Sequence, residues 1–213
     1  MLPFNLPERP LRIMCLGAHP DDVEIGCGAT LLTLAASSDL EATVLVATGS
    51  DERYEEALKA TPRFLPGSAV DVHVLGLRDG YLPTQWGKVK DSLEEFADLT
   101  TPDLVFAPRL DDAHQDHRVI AELVSTVWRD SFVLRYEIPK WDGDLGKVSH
   151  YIPISHGEAH RKVELLAESF PSQAGRAWWN SETFLGVMRL RGIECRHPYA
   201  EGFVADKTVV RLQ

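Results

Sequence analysis

The stretch Leu16-Gly17-Ala18-His19-Pro20-Asp21-Asp22-Val23-Glu24-Ile25-Gly26-Cys27-Gly28 decides how the chain is read. It continues an apolar run, Ile13-Met14-Cys15-Leu16, that has the character of a buried strand. One imidazole and two carboxylates therefore arrive together at the strand's carboxyl end. In an open α/β sheet that edge is where ligands bind. Imidazole nitrogen and carboxylate oxygen are ligands of zinc-like divalent ions, and a carboxylate left off the metal can take a proton from a bound water. His19 and Asp22 are the candidate ligands, with Asp21 as the candidate base. Pro20 fixes one torsion and biases His19 toward an extended backbone. Gly26 and Gly28 allow close backbone approach. A purely structural reading competes, in which the two aspartates complement the dipole of a helix start and His19 is a hydrogen-bonded loop residue.

A second cluster, His114-Gln115-Asp116-His117, follows another apolar strand, Val105-Phe106-Ala107-Pro108. Both clusters end a strand and open a helix, which places them on one edge of one parallel sheet if both strands belong to it. His114 and His117 are three residues apart and share a helical face. One of them can complete a His/Asp/His triad while the other addresses substrate.

These two segments resemble the zinc-dependent PIG-L/LmbE-type de-N-acetylases, on Ala18-His19-Pro20-Asp21-Asp22-Val23-Glu24-Ile25-Gly26-Cys27-Gly28 and His114-Gln115-Asp116-His117. The resemblance implies that His19, Asp22 and His117 bind zinc, that Asp21 is the general base, and that a protonated His114 stabilises charge opposite the metal while Asp116 orients it. Arg53-x-x-Glu56 with Ala60 looks like the family's helix after the second strand, and Asp79-Gly80 like its substrate-side turn, making Arg53 and Asp79 candidate substrate contacts. Phe170-Pro171-Ser172-Gln173, Arg191-Gly192 and Tyr199-Ala200-Glu201 resemble a branch associated with sugar and polysaccharide pathways. Where many members carry a second glycine after Gly28, this chain has Ala29. His/Asp/His ligation selects weakly among divalent ions, so iron(II) stands beside zinc as a cofactor.

Alternating strands and helices through Ile138 argue for a Rossmann-like, doubly wound, mostly parallel α/β sheet with helices on both faces. Strands are expected at Leu11–Gly17, Ala42–Ala47, Val70–Leu75, Asp103–Ala107, Phe132–Ile138, Tyr151–Ile154 and Lys207–Leu212, after a proline-bearing entry arm over residues 1–10. Helices are expected at Gly28–Ala36, from about Asp51 to an end set by Pro62 and Pro66-Gly67, and at Val89–Leu99, His114–Arg129, Glu158–Ser169 and Thr183–Arg191. Trp141–Lys147 reads as a polar loop that could border the pocket. Trp178-Trp179 reads as core or oligomer interface ahead of a sugar-stacking pair.

With 213 residues, 44% of them hydrophobic, the chain has enough apolar surface for a sizeable core and reads as one domain over 1–213. Its formal charge of −10 argues against nucleic acid or an anionic membrane as partner, and not against a neutral sugar. Three cysteines without Cys-x-x-Cys spacing fit a reduced, cytoplasmic setting. No run reaches the roughly 18 apolar residues of a membrane span, and Met1–Asn5 lacks the basic start of a signal peptide. The expectation is a soluble hydrolase that releases acetate from an N-acetylated amino sugar, with a homo-oligomer left open. Two readings compete: an amidase acting on a thiol conjugate or other acylated amine, and a non-catalytic sugar- or nucleotide-binding module suggested by Gly26-x-Gly28.

Overall fold

A computed structural model describes residues 10–209. Seven strands form one sheet: β1 (Leu11–Gly17), β2 (Leu40–Thr48), β3 (Ala69–Leu77), β4 (Leu104–Pro108), β5 (Phe132–Tyr136), β6 (His150–Ile154) and β7 (Tyr199–Ala205). Six α-helices accompany them: α1 (Asp22–Ser37), α2 (Asp51–Phe64), α3 (Trp86–Leu99), α4 (Gln115–Val127), α5 (His156–Ser169) and α6 (Ser181–Cys195). The strand order is β3-β2-β1-β4-β5-β7-β6. The first five are parallel, and β7 runs antiparallel to both β5 and β6. The chain winds outward from β1 to β3 and then restarts on the other side at β4, so the switch point lies between β1 and β4.

Alternation along β1 sends Ile13 and Cys15 to one core, with α1, the inner side of α2 and α5, and Met14 and Leu16 to a second core under α3 and α4. This is the expected doubly wound sheet with helices on both faces.

α1 is apolar around nearly its whole circumference and is buried accordingly. It starts at Asp22, earlier than the expected Gly28, and is bent at Cys27, whose backbone (φ −141°, ψ 15°) is not helical. The bend frees backbone groups in the middle of the molecule, and two side chains meet them. Lys162 Nζ donates to the Ile25 carbonyl at 2.5 Å, while Glu201 accepts from the amides of Ala29 (3.1 Å) and Thr30 (2.7 Å). Lys162 and Glu201 pair with each other at 2.6 Å, both buried.

Several expected boundaries differ. α2 ends at Phe64, between the two expected breakers, with Pro62 inside its last turn because a proline near a helix's carboxyl end removes only one ladder bond. The last strand among the described residues is β7, whose centre, Ala200 to Phe203, is buried between β5 and β6; of the expected Lys207–Leu212, residues 207–209 are irregular and 210–212 lie outside the described residues. Most of the expected entry arm over 1–10 also lies outside them. Trp179 is buried against Phe170 and Phe184, and Trp178 packs on the same cluster, so the pair belongs to the core. Cys15, Cys27 and Cys195 are buried and unbridged. Among the described residues no helix is long and apolar enough to cross a membrane.

Removing Lys162 strands a buried carboxylate and an unmet carbonyl at the bend. Lys162→Met is expected to cost about 3–5 kcal/mol, read as a lowered urea midpoint at unchanged slope. A loss below about 1 kcal/mol would show that the pair behaves like a surface ion pair.

Candidate metal centre

β1 and β4 are sheet neighbours, with Ile13, Met14 and Cys15 beside Leu104, Val105 and Phe106, so the turns leaving them open on one edge. The two clusters therefore meet although 98 residues separate His19 from His117. Three ligand-type atoms converge there. His19 Nδ1 lies 3.1 Å from His117 Nε2, and Asp22 Oδ2 lies 3.5 Å from the first and 3.3 Å from the second. Ligands about 2.0–2.2 Å from a shared tetrahedral ion stand roughly 3.4 Å apart. The donor types and spacing fit a zinc-like cation.

Two broader groupings, His19 with His114 and His117, and His19 with Asp79 and Asp116, hold ligand atoms within 4.8 Å of one another. Their additional members are otherwise engaged. His114 Nδ1 accepts from the Asp116 amide at 3.2 Å, and both Asp116 oxygens accept backbone amides, from Gly80 (2.7 Å) and Leu82 (3.0 Å).

Each imidazole of the trio is backed by a carboxylate on its far nitrogen, the usual means of fixing ring and tautomer at a metal. Asp79 Oδ1 lies 2.9 Å and Asp116 Oδ2 3.6 Å from His19 Nε2, and Asp112 Oδ2 lies 3.0 Å from His117 Nδ1. Asp22 Oδ2 is held in turn by the amides of Ala18 and His19, both at 2.8 Å.

The electrostatics match a place for positive charge. Burial opposes protonation of His117, but Asp22 and Asp112 outweigh it and push the imidazole up to about 9. His19 is raised well above its ordinary value in the same way, against burial, chiefly by Asp22. Burial would raise Asp22, yet the two imidazoles hold it well below the usual carboxylate range. His114 goes the other way: burial and the neighbouring His19 and His117 lower it, so its neutral form is favoured. Its ring packs near both, with centroids 4.7 Å from His19 and 4.8 Å from His117.

Asp21 stands apart from its neighbour. It occupies the position before α1 in a left-handed conformation (φ 109°), a strain of about 1–3 kcal/mol for a non-glycine residue. Its carboxylate makes no cap and pairs instead with Arg53 Nη2 at 2.9 Å. Burial foremost, with Asp22 and Glu24 nearby, pushes it up to about 7 against the pull of Arg53 and His19. The helix-cap reading of this residue is thereby set aside.

Four of the expected residues make contacts that the sequence does not show. Arg53 turns its guanidinium onto Asp21 and the Pro20 carbonyl, and Glu56, one turn on, anchors Ser172 through its amide (2.9 Å) and hydroxyl (2.6 Å). Asp79 is spent on His19, although its side chain remains 62% exposed at the rim. The Asp116 carboxylate holds the turn at Gly80 and Leu82 and does not orient the His114 ring, which is met by the Asp116 backbone. Burial and the charge of its neighbours favour the neutral ring of His114, where the resemblance implies a protonated one.

The glycines that hint at a nucleotide loop are packing positions. A Cβ on Gly26 would stand 2.2 Å from the Tyr136 ring, and one on Gly28 2.9 Å from Phe64. Sequence reasoning misses Asp112 as a site residue because an acid ahead of a helix reads as a cap, and its Oδ1 does accept the His114 amide at 2.8 Å. Lys140, which meets the same oxygen at 3.1 Å, has no local signal.

The family model described as PIG-L, GlcNAc-PI de-N-acetylase, matches residues 14–128. An uncharacterised deacetylase, YaiS, of Escherichia coli (strain K12) is 31% identical over 139 residues, 60% of this chain and 74% of that protein. A conserved protein of Thermus thermophilus superposes with a TM-score of 0.73 at 24% identity, over 95% of this chain and 97% of the other. The N,N'-diacetylchitobiose deacetylase of Pyrococcus horikoshii gives 0.68 at 20% identity, over 91% and 83%. The matched residues contain both clusters of the centre, and the chain belongs to the PIG-L, or GlcNAc-PI de-N-acetylase, family.

Proposed function

We propose that this protein is a metal-dependent amide hydrolase that removes the acetyl group from an N-acetylated amino sugar or sugar conjugate, releasing acetate and a free amine. The observation that carries the reading is the meeting of His19 Nδ1, Asp22 Oδ2 and His117 Nε2 beside a buried Asp21 poised near pH 7. The deacetylase relatives, one of them named for N,N'-diacetylchitobiose, support the reaction class and an acetamido-sugar substrate. Zinc is the proposed metal, with iron(II) the alternative that the same donors accept.

His19, Asp22 and His117 would hold the cation, which when bound polarises an acyl carbonyl and acidifies water. Asp21 takes the proton from the attacking water and returns it to the departing nitrogen, a task for which an affinity near pH 7 suits it in both directions. Arg53 acts through Asp21, as a positioning residue: it orients the carboxylate and keeps its proton affinity from rising further. His114 takes its Nδ1 hydrogen bond from the Asp116 backbone, so the neutral ring carries its proton on Nε2 and can donate it to the developing oxyanion. Asp116 holds the Gly80–Leu82 turn and backs His19, and Asp79 closes the rim beside it.

Asp21→Asn is expected to keep zinc, by elemental analysis, while kcat for acetate release from N,N'-diacetylchitobiose falls about 100- to 10,000-fold. His19→Ala and His117→Ala are expected to lose zinc and activity together. Wild-type turnover in Asp21→Asn would reject the base assignment, and stoichiometric zinc in both alanine variants the ligand set.

Metal entry must displace protons from His117 and His19, whose folded-state values are raised, so apparent zinc affinity is expected to rise with pH. Between about pH 6 and 8 the slope should be about tenfold per unit for each proton displaced. A flat profile against a competing chelator dye would contradict this.

The acid limb of the kcat/KM profile should fall at or below pH 7, since Asp21 must be ionised to accept a proton and a bound cation lowers it. Arg53→Met removes the charge that holds Asp21 down, and the limb should move to higher pH. A shift to lower pH, or none, would exclude Arg53 as the residue that tunes the base.

A further inference from the structure

We infer that Lys140 and Asp144, on the loop after β5, form a latch that positions the ligand His117 by holding Asp112. This inference rests on the metal-site reading above. Asp112 is buried and uses both oxygens: Oδ2 faces His117 Nδ1 at 3.0 Å, while Oδ1 accepts from the His114 amide at 2.8 Å and pairs with the Lys140 ammonium at 3.1 Å. The Lys140 side chain is only 9% exposed, and its ammonium also meets Asp144 Oδ2 at 2.6 Å. That same oxygen of Asp144 accepts the Ala113 amide at 2.8 Å. Two residues of the loop thus grip two consecutive residues, Asp112 and Ala113, of the segment that delivers His114 and His117. Near its far end the loop is tied again, where the Gly146 carbonyl accepts from Arg191 at 2.8 Å while Arg191 pairs twice with Glu137 at 2.7 Å.

The consequence is a chain of contacts from loop to imidazole. Lys140 fixes the rotation of the Asp112 carboxylate, and Asp112 fixes the ring plane and tautomer of His117. Outer groups that orient a ligand in this way typically change metal affinity by about 10- to 100-fold when removed. Lys140 and Asp144 both lie beyond the residues 14–128 matched by the family model, so this support comes from the chain's later half.

A lone lysine substitution would mix two effects of opposite sign, because removing a positive charge near a cation site favours the cation while loosening Asp112 disfavours it. The test is therefore the charge-balanced double variant Lys140→Met with Asp144→Asn, which deletes one charge of each sign. Zinc affinity is measured on the full chain by competition with a chromophoric chelator, alongside the thermal midpoint of the metal-free protein.

We expect zinc affinity to fall about tenfold or more in the double variant, and Lys140→Arg, which can still bridge Asp112 and Asp144, to stay within about threefold of wild type. Should the double variant fail to fold, Lys140→Gln with Asp144→Asn is read in the same way. An affinity within about twofold of wild type would overturn the latch, whatever happens to the thermal midpoint, since the loop would then be structural only. An equal loss in Lys140→Arg would overturn it too. A wild-type protein that binds no zinc would reject the metal-site reading itself, a result separable from equal binding by wild type and variant.

Discussion

Asp22 stands with one oxygen facing two imidazole nitrogens, and that arrangement constrains the rest of the molecule. A buried carboxylate is tolerable only if positive charge or hydrogen-bond donors surround it. Here the donors are two amides of its own turn, and the positive charge must come from the imidazoles or from something between them. His19 is supplied locally, but His117 is supplied only because β4 lies next to β1 at the switch point of the sheet. The reversal of strand order, a global property of the fold, therefore sets a distance of a few ångströms in the centre. Gly17 contributes at the smallest scale: a Cβ there would stand 3.2 Å from both Asp22 Cβ and the His19 carbonyl, crowding the turn.

Placement of the turn depends on α1, and α1 is held from several sides. Tyr136, at the end of β5, fills the space beside Gly26 and donates its hydroxyl to the Leu16 carbonyl at 2.6 Å, so a single ring braces the helix and the end of β1. The bend at Cys27 lets the first turns approach the sheet edge while the remainder packs along it, with Lys162 and Glu201 meeting the backbone groups it exposes. These supports come from α5, β5 and β7, far along the chain. The His19–Asp22 turn, four consecutive residues, is thus placed by segments far along the chain that close around α1.

The parts of this architecture legible in the sequence are those with a local or periodic signal. Continuous apolar runs such as Val44-Leu45-Val46 mark strands buried on both faces, and His-Pro-Asp-Asp marks the turn after one. The succession of helices and the sheet class follow from alternation. Contacts decided by tertiary packing leave no such signal. Nothing near Tyr199-Ala200-Glu201 says that Glu201 will cap a broken helix 171 residues earlier, and the strand that carries it goes unread in the sequence. Glu56 and Arg53 have the right spacing for a helix face, but only the fold shows that one reaches Ser172 and the other Asp21. Asp112 illustrates a different limit, since one carboxylate both receives the amide of the residue before a helix and backs a ligand of the same helix. The two roles share one sequence signature, and the first hides the second.

Consecutive aspartates with opposite proton affinities complete the physical account. Asp21 and Asp22 are both buried, and burial alone would raise both. Asp22 is drawn down by two imidazoles within 3.5 Å, whereas for Asp21 burial and the charge of Asp22 outweigh the pull of Arg53 and the more distant His19. The strained backbone at Asp21 is what separates them: with φ at 109°, the carboxylate turns from the helix it precedes toward Arg53. Two consecutive acids thus occupy opposite electrostatic settings, the one between the imidazoles favouring its ionised form and the one beside Arg53 held up by burial.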